Sequence, residues 1–124
     1  MKTLEKTITT QEVADKFFGW SQEGKFDQIV DELYGENAKS IEPADSFWKN
    51  VQGIDNIRAK SKEWSSNIEE MHGGYTDKPI VVGNFFSCAM GMDVTMKGQP
   101  RIKLDEIAVY EVRGGKIVLE QFFF

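Results

Sequence analysis

The hydrophobic pattern of this chain changes once along its length, and that change constrains the fold more than any other feature. Before Glu69 the apolar residues recur mainly at helical spacing, whereas from Glu69 onward they fall in long alternating segments separated by glycine turns. Helices followed by long antiparallel strands are typical of an α+β domain. The sequence therefore predicts three N-terminal helices packed on a strongly curved mixed or antiparallel sheet.

Capping and turn residues set the limits of the predicted elements. Thr9 and Glu12 have the spacing of a capping box at the start of the first helix, and Gly24 is a natural end for it. Gly114 and Gly115 predict a tight turn before the last strand. The other predicted elements are a helix over residues 26–34, a short strand over 38–42, a loop over 44–52, a helix after 53, and long strands over 85–96, 102–112 and 116–124.

Size and composition narrow the class of protein. A chain of 124 residues with 40% hydrophobic residues fits one globular domain, which we expect to span residues 1–124. The net charge of −5 disfavours nucleic acid as a partner, and no apolar run is long enough to cross a membrane. A single cysteine, Cys88, and a polar N-terminus without a secretory signal predict a cytoplasmic protein. No spacing of metal ligands is present, and the sequence implies no cofactor.

Three segments, in their order and spacing, resemble the nuclear-transport-factor-2-like superfamily, which includes the ketosteroid isomerases and the SnoaL-like polyketide cyclases. The segments are EGKFD at residues 23–27, SIEP at 40–43 with VQG at 51–53, and YEVRGGKIV at 110–118. The resemblance covers nearly the whole chain and implies a cone-shaped fold in which the sheet leaves a pocket, here called the cup, at its wide end. It also implies a homodimer formed through the outer face of the sheet. Because this fold carries enzymes and plain binding modules alike, it does not assign a reaction.

Glu42 is the first candidate for a catalytic residue. It directly precedes Pro43, the place that resembles the general-base aspartate of the ketosteroid isomerases. A carboxylate in an apolar cup has a raised pKa, which suits proton transfer near neutral pH, whereas a solvated acid at a strand end has no such role. Glu106, on the inward face by the family's alternation, and His72, the only histidine, are candidates for a second proton carrier.

The chain departs from the isomerase at two positions. Phe17 stands in place of the tyrosine on the first helix, and the late-strand carboxylic acid corresponds to Ala108. Neither side chain donates a hydrogen bond to an enolate, so the sequence argues against a true ketosteroid isomerase.

Strand alternation selects the residues expected to face the cup. In the last strand it places Val118, Glu120, Phe122 and Phe124 on the inner face, and Phe123 with Leu119 on the outer face. Core packing is the alternative explanation for most aromatic and methionine candidates, and Trp48 lies on a loop that could cover the cup. The predicted ligand-binding residues are Phe17, Trp20, Trp48, Trp64, Met90, Met92, Tyr110, Glu120 and Phe122.

The pattern as a whole predicts a small-molecule-binding domain with an apolar cup. Its ligand would be hydrophobic or carry a carbonyl group, and the carboxylates could support isomerase, cyclase or dehydratase chemistry. The alternative is a non-catalytic association module, in which the cup is filled by its own side chains and the outer sheet face, with Ile107 and Val109, forms a dimer.

Overall fold

The fold was determined from a computed structural model that describes residues 8–124. Its elements in chain order are α1 (Thr10–Gln22), α2 (Phe26–Leu33), β1 (Tyr34–Ile41), β2 (Val51–Gln52), α3 (Ile54–Ser66), β3 (Ile68–Thr76), β4 (Ile80–Val82), β5 (Phe85–Met96), β6 (Arg101–Arg113) and β7 (Lys116–Phe123). None of the helices in this range is long and apolar enough to cross a membrane.

The strands form one mixed sheet. Their order is β2-β1-β7-β6-β5-β3, and β4 pairs with β5. All the pairs are antiparallel except β1 with β7, which run parallel. Within residues 8–124, three helices therefore pack on a mixed sheet of seven strands, which confirms the predicted α+β class.

The helices begin where the sequence indicates, but one of them ends earlier. The Thr9 side chain accepts a hydrogen bond from the backbone N–H of Glu12, and the Glu12 side chain accepts one from Thr9, so the predicted capping box is present. The second helix ends at Leu33, because Tyr34 already has extended backbone angles and begins β1. The prediction that Tyr34 ends this helix was wrong, as was the loop assigned to Val51–Gln52, which forms the edge strand β2.

Three aromatic rings occupy the centre of the core. Phe17 of α1 lies 4.7 Å from Tyr110 and 5.4 Å from Phe86 between ring centroids, and Phe86 stacks on Tyr110 at 4.7 Å. All three side chains are buried. Buried residues alternate with more exposed ones along β5 and β6, so Cys88 and Ala108 face the helices, and the same alternation puts Met90 and Glu106 on this inner face. The two strands pair without a register shift from Phe85 to Thr95.

A β-bulge interrupts the alternation in β7. Glu111 pairs with Leu119 and Val112 pairs with Ile117, which leaves Val118 as the extra residue. Ile117 therefore occupies the inner face instead of Val118 and is fully buried, while Glu120 is also buried. Phe124 lies beyond the end of β7 with 62% of its surface exposed, so the expectation that it lines the cup was wrong.

Candidate functional site

The face of the sheet that packs against the helices brings four ionisable side chains together. Glu120 of β7 lies beside its register partner Ser40 of β1, and Glu42 follows two residues after Ser40. Glu106 lies on the neighbouring strand β6, and Lys60 reaches the group from α3. We call Glu42, Glu106, Glu120 and Lys60 the acidic cluster, since three carboxyl groups share it with one ammonium group.

Glu120 is the most buried member of the acidic cluster, with 6% of its surface exposed. One carboxylate oxygen accepts a hydrogen bond from the Tyr34 hydroxyl, and the other accepts one from Ser40 Oγ at 2.6 Å. Burial raises the pKa of Glu120, and the two hydrogen bonds and the Lys60 charge oppose that rise. Both carboxylate oxygens are occupied, so Glu120 holds its neighbours in place and offers little to a ligand.

Lys60 connects the buried and accessible parts of the acidic cluster. Its Nζ donates a hydrogen bond to Ser40 Oγ at 2.6 Å and a longer one to the Lys49 carbonyl at 3.5 Å. The same atom lies 4.0 Å from Glu42 Oε1. Only 14% of the Lys60 side chain is exposed, so its ammonium group is partly shielded from water and interacts more strongly with nearby carboxylates than a surface lysine would.

Glu42 has a buried carboxylate oxygen with no partner. Only 9% of its side chain is exposed, and Oε2 makes no hydrogen bond to any residue in the range 8–124. Burial raises the pKa of Glu42; Lys60 opposes the rise and the Glu120 charge adds to it. A buried acceptor without a donor destabilises the fold, so this oxygen would gain from a proton or from a ligand that donates a hydrogen bond.

Glu106 is the half-buried acid of the acidic cluster. Burial raises its pKa to about 7, and the charges on Glu42 and Glu120 contribute to the rise. Because this pKa lies near neutrality, the Glu106 carboxyl can both give and take a proton under ordinary conditions. Glu42 and Glu106 were both predicted as catalytic residues, and they lie close enough for the charge of Glu42 to raise the pKa of Glu106.

Apolar side chains adjoin the acidic cluster. The ring centroid of Phe122 lies 6.0 Å from Lys60 Nζ, and Met90 is the register partner of Glu106 on β5. Trp64 follows Lys60 by one helical turn and packs edge-on against Trp48 at 5.6 Å. All four of these predicted ligand-binding side chains are partly exposed.

The other predicted site residues lie elsewhere. Phe17 and Tyr110 are core residues, and Trp20 packs against the same core. Met92 borders an open depression of about 410 Å³ that also includes Tyr75 and Asp105. A second depression, of about 430 Å³, lies between the start of α1 and the turn joining β6 to β7.

His72 is not brought to the acidic cluster. Its Nε2 lies 2.8 Å from Thr95 Oγ1 and its Nδ1 lies 3.3 Å from Glu70 Oε2. Thr95 follows the fully buried Val94 on β5 and so points to the outer face, which means that these contacts hold His72 on the side of the sheet opposite the acidic cluster. A register shift in β3 between Met71 and Gly73 falls at this position. We therefore exclude His72 from the proposed chemistry.

Three residues of the site were not among the predicted ones: Tyr34, Ser40 and Lys60. Lys60 lies three residues after Ile57 and four before Trp64, so a helical projection puts it on the apolar face of α3. A lysine on the apolar face of a helix is unusual, so Lys60 could have been identified from the sequence as a candidate site residue. Ser40 shares a strand face with Glu42 by simple alternation.

The arrangement does not form a conventional metal site. Within residues 8–124, no group of three His, Cys, Asp or Glu side chains is placed to hold a metal ion. The site consists of three carboxyl groups, one ammonium group and the neighbouring rings of Trp48, Trp64 and Phe122, which we call the aromatic border.

Solved structures share this fold. A protein from Mesorhizobium loti described as a SnoaL-like polyketide cyclase, and in brackets as a carbohydrate phosphatase, is 30% identical, with a TM-score of 0.89 over 94% of this chain and 100% of that chain. A protein from Jannaschia sp. CCS1 with the same description is 13% identical, with a TM-score of 0.72 over 99% of this chain and 90% of that chain. A protein from Catenulispora acidiphila with a ketosteroid isomerase-like fold, in complex with trimethylamine, is 15% identical, with a TM-score of 0.72 over 94% and 87%.

The last two similarities show the fold alone. Comparison with the curated proteins gave no match. The sequence model of the SnoaL-like domain matches residues 8–124, which is the whole range that the structure describes. The chain therefore belongs to the SnoaL-like domain family.

Proposed function

We propose that this domain binds a small hydrophobic molecule carrying a carbonyl group at the acidic cluster and transfers a proton on it. The observation that carries this proposal is the unpartnered, buried Oε2 of Glu42. Burial and the nearby Glu42 charge raise the pKa of a second carboxyl group, Glu106, to about 7. Two carboxyl groups with different surroundings can act as a base and an acid in the same site.

Glu42 is the proposed base and Glu106 the proposed acid. Glu42 takes a proton from the carbon next to the carbonyl. The electron pair of that C–H bond forms a C=C bond, and the π pair of the carbonyl moves to its oxygen, which gives an enolate. The Glu106 carboxyl, protonated in much of the population below its pKa of about 7, returns a proton to oxygen or carbon. Isomerisation, ring closure and dehydration all begin with this step, so these are the reaction classes that the site would support.

The aromatic border favours a ligand with an apolar body. Trp48, Trp64 and Phe122 offer partly exposed ring faces beside the acidic cluster. The 30% identical protein from Mesorhizobium loti is described as a polyketide cyclase, and polyketides are rich in carbonyl groups flanked by acidic C–H bonds. That likeness supports a carbonyl-bearing substrate here.

Proton exchange on a simple ketone tests this proposal without knowledge of the natural substrate. We would incubate 2-tetralone with the protein in D₂O and follow loss of its α-proton signals by NMR. Glu42→Gln should lower the exchange rate by about 100-fold or more, since a general base typically contributes a factor of this order. The matched control is Glu63→Gln, which changes an exposed glutamate on α3. Equal rates for Glu42→Gln and the wild type, or no exchange above the buffer rate, would refute the proposal.

A second proposed function is self-association through the outer face of the sheet. Five apolar side chains are exposed there, with exposed fractions between 44% and 72%: Ile80, Val82, Phe85, Ile107 and Phe123. A contiguous apolar patch on one face is typical of a protein contact surface. Ile107→Asp should convert a dimer to a monomer in sedimentation experiments, and a wild type that is already monomeric at micromolar concentration would count against this function.

A further inference from the structure

Lys60 is the single cation of the acidic cluster, and its hydrogen bonds leave it capacity to bind a ligand. An ammonium group carries three donor N–H bonds. One points to Ser40 Oγ at 2.6 Å, and the contact with the Lys49 carbonyl is long, at 3.5 Å. Glu42 Oε1, at 4.0 Å, is beyond hydrogen-bond distance. At least one strong donor is therefore available within reach of the proposed base.

We propose that Lys60 binds the substrate oxygen on which negative charge develops, and that Ser40, Glu120 and Tyr34 position its ammonium group for this task. The inference rests on the proposed function and narrows its substrate class. The ligand would be a carbonyl compound whose oxygen becomes anionic when a proton leaves, such as an enolisable ketone or a 1,3-diketone.

The movement of charge during proton transfer supports this assignment. When Glu42 takes the proton, it becomes neutral, and the negative charge passes to the carbonyl oxygen of the substrate. The total charge of the site does not change, so an ammonium that faces Glu42 before the step can face the new oxyanion after it. A donor already in place stabilises the developing charge without reorganisation.

Two positions whose side chains stabilise the enolate in the ketosteroid isomerases carry apolar residues here. Phe17 and Ala108 are buried and donate no hydrogen bond. Lys60 supplies from α3 the positive charge that neither of these positions can provide. The substrate oxygen is then expected on the α3 side of the acidic cluster, near Ser40 and Phe122.

A lysine needs support to act as a fixed donor, because its four-carbon stem is flexible. Here Ser40 accepts from Lys60 and donates to Glu120, and Glu120 accepts a second hydrogen bond from Tyr34. Ser40, Glu120 and Tyr34 are all buried. This buried chain ties the ammonium to the sheet, so these three residues are positioning residues.

Binding of 4-nitrophenol tests the inference, since its neutral and ionised forms absorb at different wavelengths. Calorimetry measures the binding, and absorbance measures the ionised fraction of the bound probe. Lys60→Met should reduce the ratio of bound phenolate to bound phenol by about tenfold or more, the effect of losing one charge-assisted hydrogen bond. Lys60→Arg should restore most of the ratio, and Ser40→Ala should give an intermediate value.

Lys62→Met is the matched control, because Lys62 is exposed on the same helix. It should leave the ratio at the wild-type value. An equal ratio in Lys60→Met and wild type, or no binding of the probe to the wild type, overturns the inference. If Lys60→Met does not fold, NMR of wild-type protein with ¹³C-labelled lysines replaces it. The Lys60 signal, identified by its absence in Lys60→Arg, should move when the probe binds, and an unmoved signal overturns the inference.

The two proposals fail in different ways. If 2-tetralone exchanges equally fast in Lys60→Met and wild type, the role of Lys60 is wrong while proton transfer by Glu42 stands. If no exchange occurs but Lys60 still governs ionisation of bound 4-nitrophenol, proton transfer is wrong and the site is an oxyanion-binding site alone.

Discussion

Glu106→Gln should make the folded protein more stable at alkaline pH, although it removes a residue from the proposed site. The wild-type carboxyl is half-buried near two other carboxylates, so ionising it in the folded state is unfavourable. Glutamine has nearly the same shape and carries no charge. The substitution therefore removes an electrostatic penalty and leaves the packing almost unchanged.

The unfavourable ionisation of Glu106 lowers the stability of the folded state over a defined pH range. In the unfolded chain the Glu106 carboxyl ionises near 4.5, and in the folded state near 7. Between these values the folded state binds more protons than the unfolded state, so stability falls as the pH rises through the window and levels off above it. At about 1.4 kcal/mol per pH unit, the full shift corresponds to about 3 kcal/mol. Water reaches part of the carboxyl and screens it, so we expect about 1–2 kcal/mol.

Urea unfolding at pH 4.5 and pH 8 measures this effect. The quantity of interest is the free energy of unfolding of Glu106→Gln minus that of the wild type, which should increase by about 1–2 kcal/mol between the two pH values. Glu69→Gln, at an exposed position on β3, should show no such increase. A difference for Glu106→Gln that stays constant with pH, or one that decreases, would refute the assignment of a destabilised carboxylate.

Three further predictions concern the structure that supports the site. Tyr34→Phe should lower the free energy of unfolding by about 1–3 kcal/mol, because it removes a donor from the buried Glu120 carboxylate, whereas Tyr75→Phe, which removes an exposed contact with Asp105, should cost about 0.5 kcal/mol or less. Gly91→Ala should cost about 1–3 kcal/mol by thermal or urea unfolding, since the new Cβ would lie 2.6 Å from the Leu104 carbonyl oxygen, and Gly73→Ala, with no atom within 4 Å, should be far milder. Thr9→Ala should cost about 1 kcal/mol through loss of the α1 cap, and an unchanged melting temperature would contradict it.

Local patterns predicted the parts of the site that lie on uninterrupted elements. β5 and β6 pair in a continuous antiparallel register, so strand alternation, with the inner face taken from the family resemblance, put Glu106 on the inner face. The helix caps also depend on neighbouring residues only, and the capping box at Thr9 was confirmed. Such features need no information from distant parts of the chain.

The hydrogen-bond chain behind Lys60 could not be predicted in this way. Tyr34 and Ser40 meet Glu120 through the parallel pairing of β1 with β7, which joins residues about 80 positions apart. Parallel partners are not connected by a turn, so no local signal sets their register. The side of the sheet that His72 faces could not be predicted either, because a register shift in β3 decides it.

The bulge at Val118 lets both Ile117 and Glu120 face the core, which a regular strand would not allow. Near the turn, Ile117 must point inward to pack beside Val112, and further on Glu120 must point inward to reach Ser40. These two residues are three positions apart, and a regular strand would put them on opposite faces. One extra residue between them brings both to the inner face. The position of the carboxylate that anchors Lys60 thus depends on an irregularity in β7, which is why alternation assigned Glu120 correctly but assigned Val118, rather than Ile117, to the core.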